Sequence, residues 1–368
     1  MLHNEVTVVF LCCRVYLQTS TISDLKTFIH GHTIRWQAVY ELCARHRVRP
    51  VVFHVLSRIP EAVPKDTWQQ FKQYCRNLFV FAADRQIEAA RIIELLQQQG
   101  IKARLYKGTD FSLLLYNDIS MREFTDMDII IPEDALLRVK ATMEGEGYEM
   151  DQADYFSRYP AHFSKHLKDL SFGKRCSRGK RFSFEFHYRP TRALTGFPYS
   201  FTELLGEDYL SRSYTSQDYY SLMLLNNGAS DFYPHLRSLL DMVLLYRKGP
   251  ATVPGALQPF DILWKQLAAT SLGIDTGGQA AMTTRAGKLL LKRLQHPAMQ
   301  GKYTFLEQAY LHLISARPLS GKVHIVRQHL AHLVRPNGND VKGLKLPYFL
   351  YYFTKPVRLA ANMLKRQE

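Results

Sequence analysis

The chain has 368 residues, 46% of them hydrophobic, enough for two or three packed units of ordinary globular composition. Its five cysteines are odd in number and lack Cys-x-x-Cys spacing, which argues against a disulfide framework or a zinc site and makes a reducing cytoplasm the expected compartment. A formal net charge of +15 calls for a polyanionic partner such as a triphosphate, nucleic acid or acidic lipid, and no run approaches the roughly 20 apolar residues that span a bilayer.

Residues 6–17 are mostly apolar but interrupted by Arg14, with no basic segment before them. They read as a buried strand or helix, not a signal peptide. Helical spacing follows over 24–30, 36–46, 51–57 and a long stretch at 65–99. In that stretch Phe71, Cys75, Leu78, Phe79, Ala82, Ile87 and Ile92 recur at intervals near three and four. Gly100 ends it, so residues 1–98 are expected to form an N-terminal helical region.

From 99 to 192 strands and helices mix. Residues 103–106 read as a short strand, Lys107-Gly108-Thr109-Asp110 as a turn, and 111–116 as a Leu-rich helix. Asp126-Met127-Asp128 heads the apolar strand Ile129-Ile130-Ile131, which Pro132 closes, and Glu133-Asp134 opens a further helix. Asp110 and Asp118 suit helix and turn capping. His162 and His166 are placed on another strand, without a spacing that demands a metal. The basic run Lys174-Arg175-Cys176-Ser177-Arg178-Gly179-Lys180-Arg181 reads as a solvated hairpin tip in preference to a substrate contact.

Residues 193–368 are expected to be mainly helical, most clearly at 219–225 and 235–247, with loops at 249–259 and 272–279. Arg237 and Asp241, four apart on one helix, read as a structural ion pair. Near the end, Leu346-Pro347-Tyr348-Phe349-Leu350-Tyr351-Tyr352-Phe353 is followed by Lys355, Arg358, Lys365 and Arg366. Such a segment either makes peripheral contact with an anionic membrane or docks on the protein with its bases facing water; docking is the favoured reading.

The chemistry concentrates in two strands. Residues i and i+2 of a strand share a face, so Asp126 and Asp128 project together. Residues 182–188 alternate: Phe182, Phe184, Phe186 and Tyr188 take one face, Ser183, Glu185 and His187 the other. Paired, these strands would gather three carboxylates and an imidazole, a set that can bind Mg²⁺ and align an in-line attack on a nucleoside triphosphate. Such carboxylates repel one another without metal, so neutralising one is expected to raise stability. Lys107 and the Gly108 turn before a helix suit a phosphate. Arg122 pairs with phosphate or clamps Asp126 and Asp128, and His187 is expected to support the ligands from behind.

Strand, Gly turn, helix, Asp-x-Asp strand and later carboxylate strand follow the core order of polymerase β-like nucleotidyltransferases. The chain resembles an uncharacterised bacterial nucleotidyltransferase family of that superfamily through Ile101 to Gly108 (IKARLYKG), Leu115-Tyr116, Arg122, Thr125 to Ile131 (TDMDIII), Gly147-Tyr148 and Phe184 to Arg189 (FEFHYR). Residues 44–50 (ARHRVRP) and 236–245 (LRSLLDMVLL) also fit. Lys107-Gly108 stands where better-known nucleotidyltransferases carry Gly-Ser, and Asn226-Asn227 departs from an expected His.

The resemblance implies an α+β fold with a small mixed sheet in a catalytic core at 99–192, flanked by N-terminal and C-terminal helical regions at 1–98 and 193–368. It implies transfer of a nucleoside monophosphate group from a nucleoside triphosphate to a hydroxyl-bearing acceptor, with release of pyrophosphate. Asp126, Asp128 and Glu185 would be the catalytic carboxylates and would hold Mg²⁺, with Mn²⁺ as the alternative ion. Lys107, Gly108, Thr109 and Arg122 would bind nucleotide. The acceptor is unidentified, with a small molecule or a protein favoured over nucleic acid. The competing functions are an RNA-directed nucleotidyltransferase, a kinase-like phosphotransferase and a non-catalytic nucleotide-binding module.

Overall fold

A computed structural model of the chain describes residues 3–175, 181–192, 195, 197, 199–249, 251–276, 284–296, 303–315, 319–342 and 345–364. The apolar start is a helix, Asn4–Tyr16, buried along most of its length. Helices Ile22–Gly31, Trp36–His46, Arg49–Leu56 and Lys65–Gln98 follow. Their ends obey local rules. Thr21 and Asp24 form a reciprocal cap, and Pro50 sits in the first turn of its helix, where a missing N–H costs nothing. At 34 residues Lys65–Gln98 is about 50 Å long, and it runs beside both of the protein's cores.

Five strands form one sheet: β1 (Arg104–Leu105), β2 (Met127–Ile130), β3 (Glu149–Met150), β4 (Asp169–Arg175) and β5 (Arg181–His187), in the order β1-β2-β5-β4-β3. β2 and β5 are parallel and the other pairs antiparallel, so the sheet is mixed and the fold is α+β. Alternation divides the sheet's two faces. Met127, Ile129, Phe184 and Phe186 join a core with Ala89, Ile92 and Leu96 of the long helix. Ile130, on the opposite face, belongs to a second and larger core.

That larger core joins Val8 and Cys12 of the first helix, Phe111 and Leu115 of helix Thr109–Tyr116, and Leu239, Trp264 and Leu267 of the C-terminal helices. The N-terminal and C-terminal helices thus pack on each other as well as on the sheet. The burial of Cys12, Cys13 and Cys43 there raises all three thiol pKa values. Cys176 and most of the basic run, 176–180, lie outside the described residues. Of its flanks, Lys174 donates to the Glu146 carbonyl and Arg181 pairs with Asp151.

Three expectations change. His162 and His166 lie on a helix, Pro160–His166, not a strand. Pro160 presets its first turn, Phe163 fills the core, and His162 stacks on Tyr348 with ring centres 3.7 Å apart. Asp241, on helix Leu236–Tyr246, pairs with Arg122 and not with its helical neighbour Arg237, which donates to the Glu123 carbonyl. The segment Tyr351–Leu364 docks as favoured, but Lys355 does not face water and Arg358 is only partly exposed, while Lys365 and Arg366 lie outside the described residues. Tyr351 is buried, Lys355 is enclosed with its Nζ on the His332 and Arg335 carbonyls, and Arg358 Nε meets Asp340 at 2.6 Å.

Candidate active site

The loop before β2 is held from both sides. Arg122 is buried with its Nε 3.1 Å from Asp241 Oδ2, and the Tyr116 hydroxyl donates to the same carboxylate. Glu123, also buried, accepts from Arg49 and from the Tyr74 hydroxyl at 2.7 Å. Arg85, on the long helix, donates to the Phe124 and Thr125 carbonyls. A loop with so many charge-assisted bonds at consecutive residues has little freedom, and it delivers Asp126 and Asp128 in a set orientation. Arg122, expected to pair with phosphate or to clamp Asp126 and Asp128, meets Asp241 in place of the site aspartates.

Parallel pairing of β2 and β5 sets Asp128 directly beside Glu185, with Ile130 beside His187. His187 Nε2 lies 2.7 Å from Asp128 Oδ1 and 3.5 Å from Glu185 Oε2. An ionised carboxylate only accepts, so the imidazole donates to Asp128. Among the described residues, Asp128, Glu185 and His187 can each offer a ligand atom within 4.8 Å of the others. Asp126, half-buried just before β2, stands outside this trio, although its charge reaches Glu185. His187 thus joins Asp128 and Glu185 as strand pairing implied, while Asp126 is not among the three.

Lys107 is buried with its Nζ 3.5 Å from Asp128 Oδ1, 3.0 Å from Asn226 Oδ1 and 4.4 Å from the centre of the Tyr106 ring. Gly108 follows at φ +79°, a left-handed value that favours glycine, and caps the helix that opens with buried Thr109. Asn226 comes from the C-terminal region on a π-helical turn, Leu224–Ser230, a widened geometry frequent at functional sites. Within it Gly228 is obligatory: a Cβ there would meet the Tyr233 hydroxyl at 2.6 Å.

Two contributors escape the sequence analysis. Lys168 precedes β4 with its Nζ 3.3 Å from Asp169 Oδ2, and that carboxylate lies 3.9 Å from His187 Nδ1. Their signal was available in the hairpin: counting back from Arg175 opposite Arg181 brings Asp169 opposite His187.

These neighbours split the two central carboxyls. Burial opposes the charge of Asp128, but Lys107 and the bond from His187 outweigh it and hold its pKa well below the usual range. Burial, reinforced by Asp128, Asp126 and Asp169, pushes Glu185 up to about 8. Burial and the Lys168 charge keep His187 neutral by lowering its pKa. Neutralising a carboxylate is therefore expected to raise stability at Glu185 and to lower it at Asp128, whose charge Lys107 and His187 compensate.

A stability prediction follows from Glu185. Its folded pKa lies above the ordinary 4.5, so between about 4.5 and about 8 the folded form retains a proton that the unfolded form has lost. In metal-free buffer that contribution lowers stability as pH rises, whereas His187 acts in the opposite sense. Urea melts of wild type and Glu185→Gln isolate it: the variant should gain on the wild type as pH rises through the window. Parallel curves would contradict the assignment.

Two carboxylates and an imidazole suit a divalent ion in charge and in donor type. A small mixed sheet with such a cluster on one face of two adjacent parallel strands is consistent with a nucleotidyltransferase domain. A family described as uncharacterised nucleotidyltransferase matches residues 32–257, and the chain belongs to that family. The matched region contains the whole sheet, the cluster and Asn226. No curated protein and no solved structure matches the chain.

Proposed function

We propose that the protein transfers a nucleoside monophosphate group from a nucleoside triphosphate to a hydroxyl-bearing acceptor, in a reaction that depends on a divalent metal. The observation that carries this reading is the Asp128–Glu185–His187 cluster beside Lys107 and the Gly108 turn, in a chain of nucleotidyltransferase family. Asp128 and Glu185 would hold Mg²⁺ or Mn²⁺, with Asp126 completing the carboxylate set and His187 as either a ligand or the support of Asp128. The ion would supply charge neutralisation of the triphosphate and acidification of the acceptor hydroxyl.

The protein's own groups do the rest. The N–H groups of Gly108 and Thr109 at the helix start, together with the Lys107 ammonium, bind the phosphates. The Arg122–Asp241 pair fixes the strand that carries Asp128. The acceptor oxygen attacks the α-phosphorus, the bond from that phosphorus to the β-bridging oxygen breaks, and pyrophosphate leaves. Glu185, ionised when a cation sits beside it, would take the hydroxyl proton.

Lys107→Ala tests the phosphate contact. A cation that grips the triphosphate equally in ground and transition states affects KM more than kcat. The variant is expected to raise KM for the triphosphate about tenfold, with a smaller change in kcat. Unaltered KM with a collapsed kcat would assign Lys107 to the chemical step instead.

A further inference from the structure

Beyond the family-matched region, helix Leu319–Val334 carries an apolar stripe on its outer face. Val323, Val326, Leu330, Leu333 and Val334 recur at intervals of three and four and are between 44% and 62% exposed, while Ile325 and His329 on the inner face are buried. At the helical repeat these five fall within a stripe about 100° wide. Lys322 and Arg327 bracket it, and both line the same open depression as Val323, Val326 and Leu330. The adjoining helix Tyr351–Leu364 also turns apolar side chains outward, with Phe353 and Val357 each at least 70% exposed.

The charge around this surface is one-sided. Over the described residues from 319 to 358, seven Lys and Arg stand against a single acid, Asp340, which Arg358 neutralises at 2.6 Å; of the seven, Lys355 is enclosed. Exposed apolar stripes on a soluble chain mark a docking surface, and a basic rim selects an anionic partner. No helix among the described residues is long and apolar enough to cross a membrane. A helix of modest hydrophobicity with an apolar stripe edged by Lys and Arg is instead built to lie in the plane of a bilayer surface.

We propose that the outer face of helix Leu319–Val334 docks on an anionic lipid bilayer, with Val326 and Leu330 entering the acyl boundary and Lys322 and Arg327 meeting the headgroups. Bases near an anionic leaflet add to the apolar contribution and are screened by salt. This inference does not rest on the proposed reaction.

Flotation of the full-length protein tests it, with vesicles of phosphatidylcholine alone or mixed with phosphatidylglycerol. The protein should float with the mixed vesicles, poorly with phosphatidylcholine alone, and less at high salt. Val326→Asp combined with Leu330→Asp should reduce partitioning roughly tenfold or more. Both positions are exposed, and an unchanged melting temperature verifies that the fold persists. Lys322→Glu with Arg327→Glu should abolish the preference for the anionic lipid. Failure of the wild type to float with mixed vesicles would overturn the proposal, as would equal flotation of the double aspartate variant. Self-association in sedimentation that this variant removes, without vesicle binding by the wild type, would assign the face to a second copy of the chain.

Discussion

Asp128→Asn is expected to lower metal-dependent transfer by on the order of a thousandfold, roughly 4 kcal/mol of transition-state stabilisation. The substitution keeps the shape of the side chain but removes the charge around which Lys107 and His187 are arranged. It should also destabilise the protein. Asp128 titrates below its ordinary value, so its ionised form contributes stability above about pH 4 that is lost as pH falls through the lower folded value. Melting of the variant at neutral pH, compared with wild type, reads that loss. Glu185→Gln should also lose turnover while gaining stability in metal-free buffer at the alkaline end of its window. The two variants thus share an activity defect and differ in the sign of their effect on folding.

Asp241→Ala is expected to cost about 3–5 kcal/mol of folding stability, because Arg122 is then left as a buried cation without its carboxylate. The Tyr116 hydroxyl would lose its acceptor in the same step. Chemical denaturation measures the loss directly. Replacing both partners by apolar residues, Arg122→Met with Asp241→Leu, should recover most of it, since no charge is then stranded. Additive losses in the double variant would show that the pair does not act as a unit.

Much of the site could be read from the order of residues. The alternation over 182–188 predicts that Phe184 and Phe186 enter a core while Glu185 and His187 face the other way, and the structure has that arrangement. Strand register is legible because period-two patterning leaves one solution when one face is apolar. Helices Trp36–His46 and Lys65–Gln98 were also legible, since their apolar spacing and the Gly100 stop are local signals.

What escaped was set by tertiary contact. Arg237 and Asp241 make a plausible local pair, yet Asp241 is fully buried and meets Arg122, 119 residues away in sequence, a partner no helical spacing announces. Lys355 and Arg358 look like a solvent face until the Arg335 carbonyl and Asp340 are brought beneath them. Asn226 drew notice only as a departure from an expected His; its place beside Lys107 depends on the packing of the π-helical turn. The place of Asp126, by contrast, is a local matter. Two residues on one strand face point the same way, but the strand begins at Met127, and Asp126 lies on the approach to it.

The most direct test of the central claim is the fate of label from a nucleoside triphosphate. Wild type and Asp128→Asn are each incubated with cell extract and Mg²⁺ or Mn²⁺, using triphosphates labelled at either the α- or the γ-phosphorus. The account predicts a labelled acceptor from α-labelled substrate with wild type, labelled pyrophosphate from γ-labelled substrate, and neither after chelation of the metal or with Asp128→Asn. An acceptor labelled from the γ-phosphorus, or full transfer by Asp128→Asn, would contradict it.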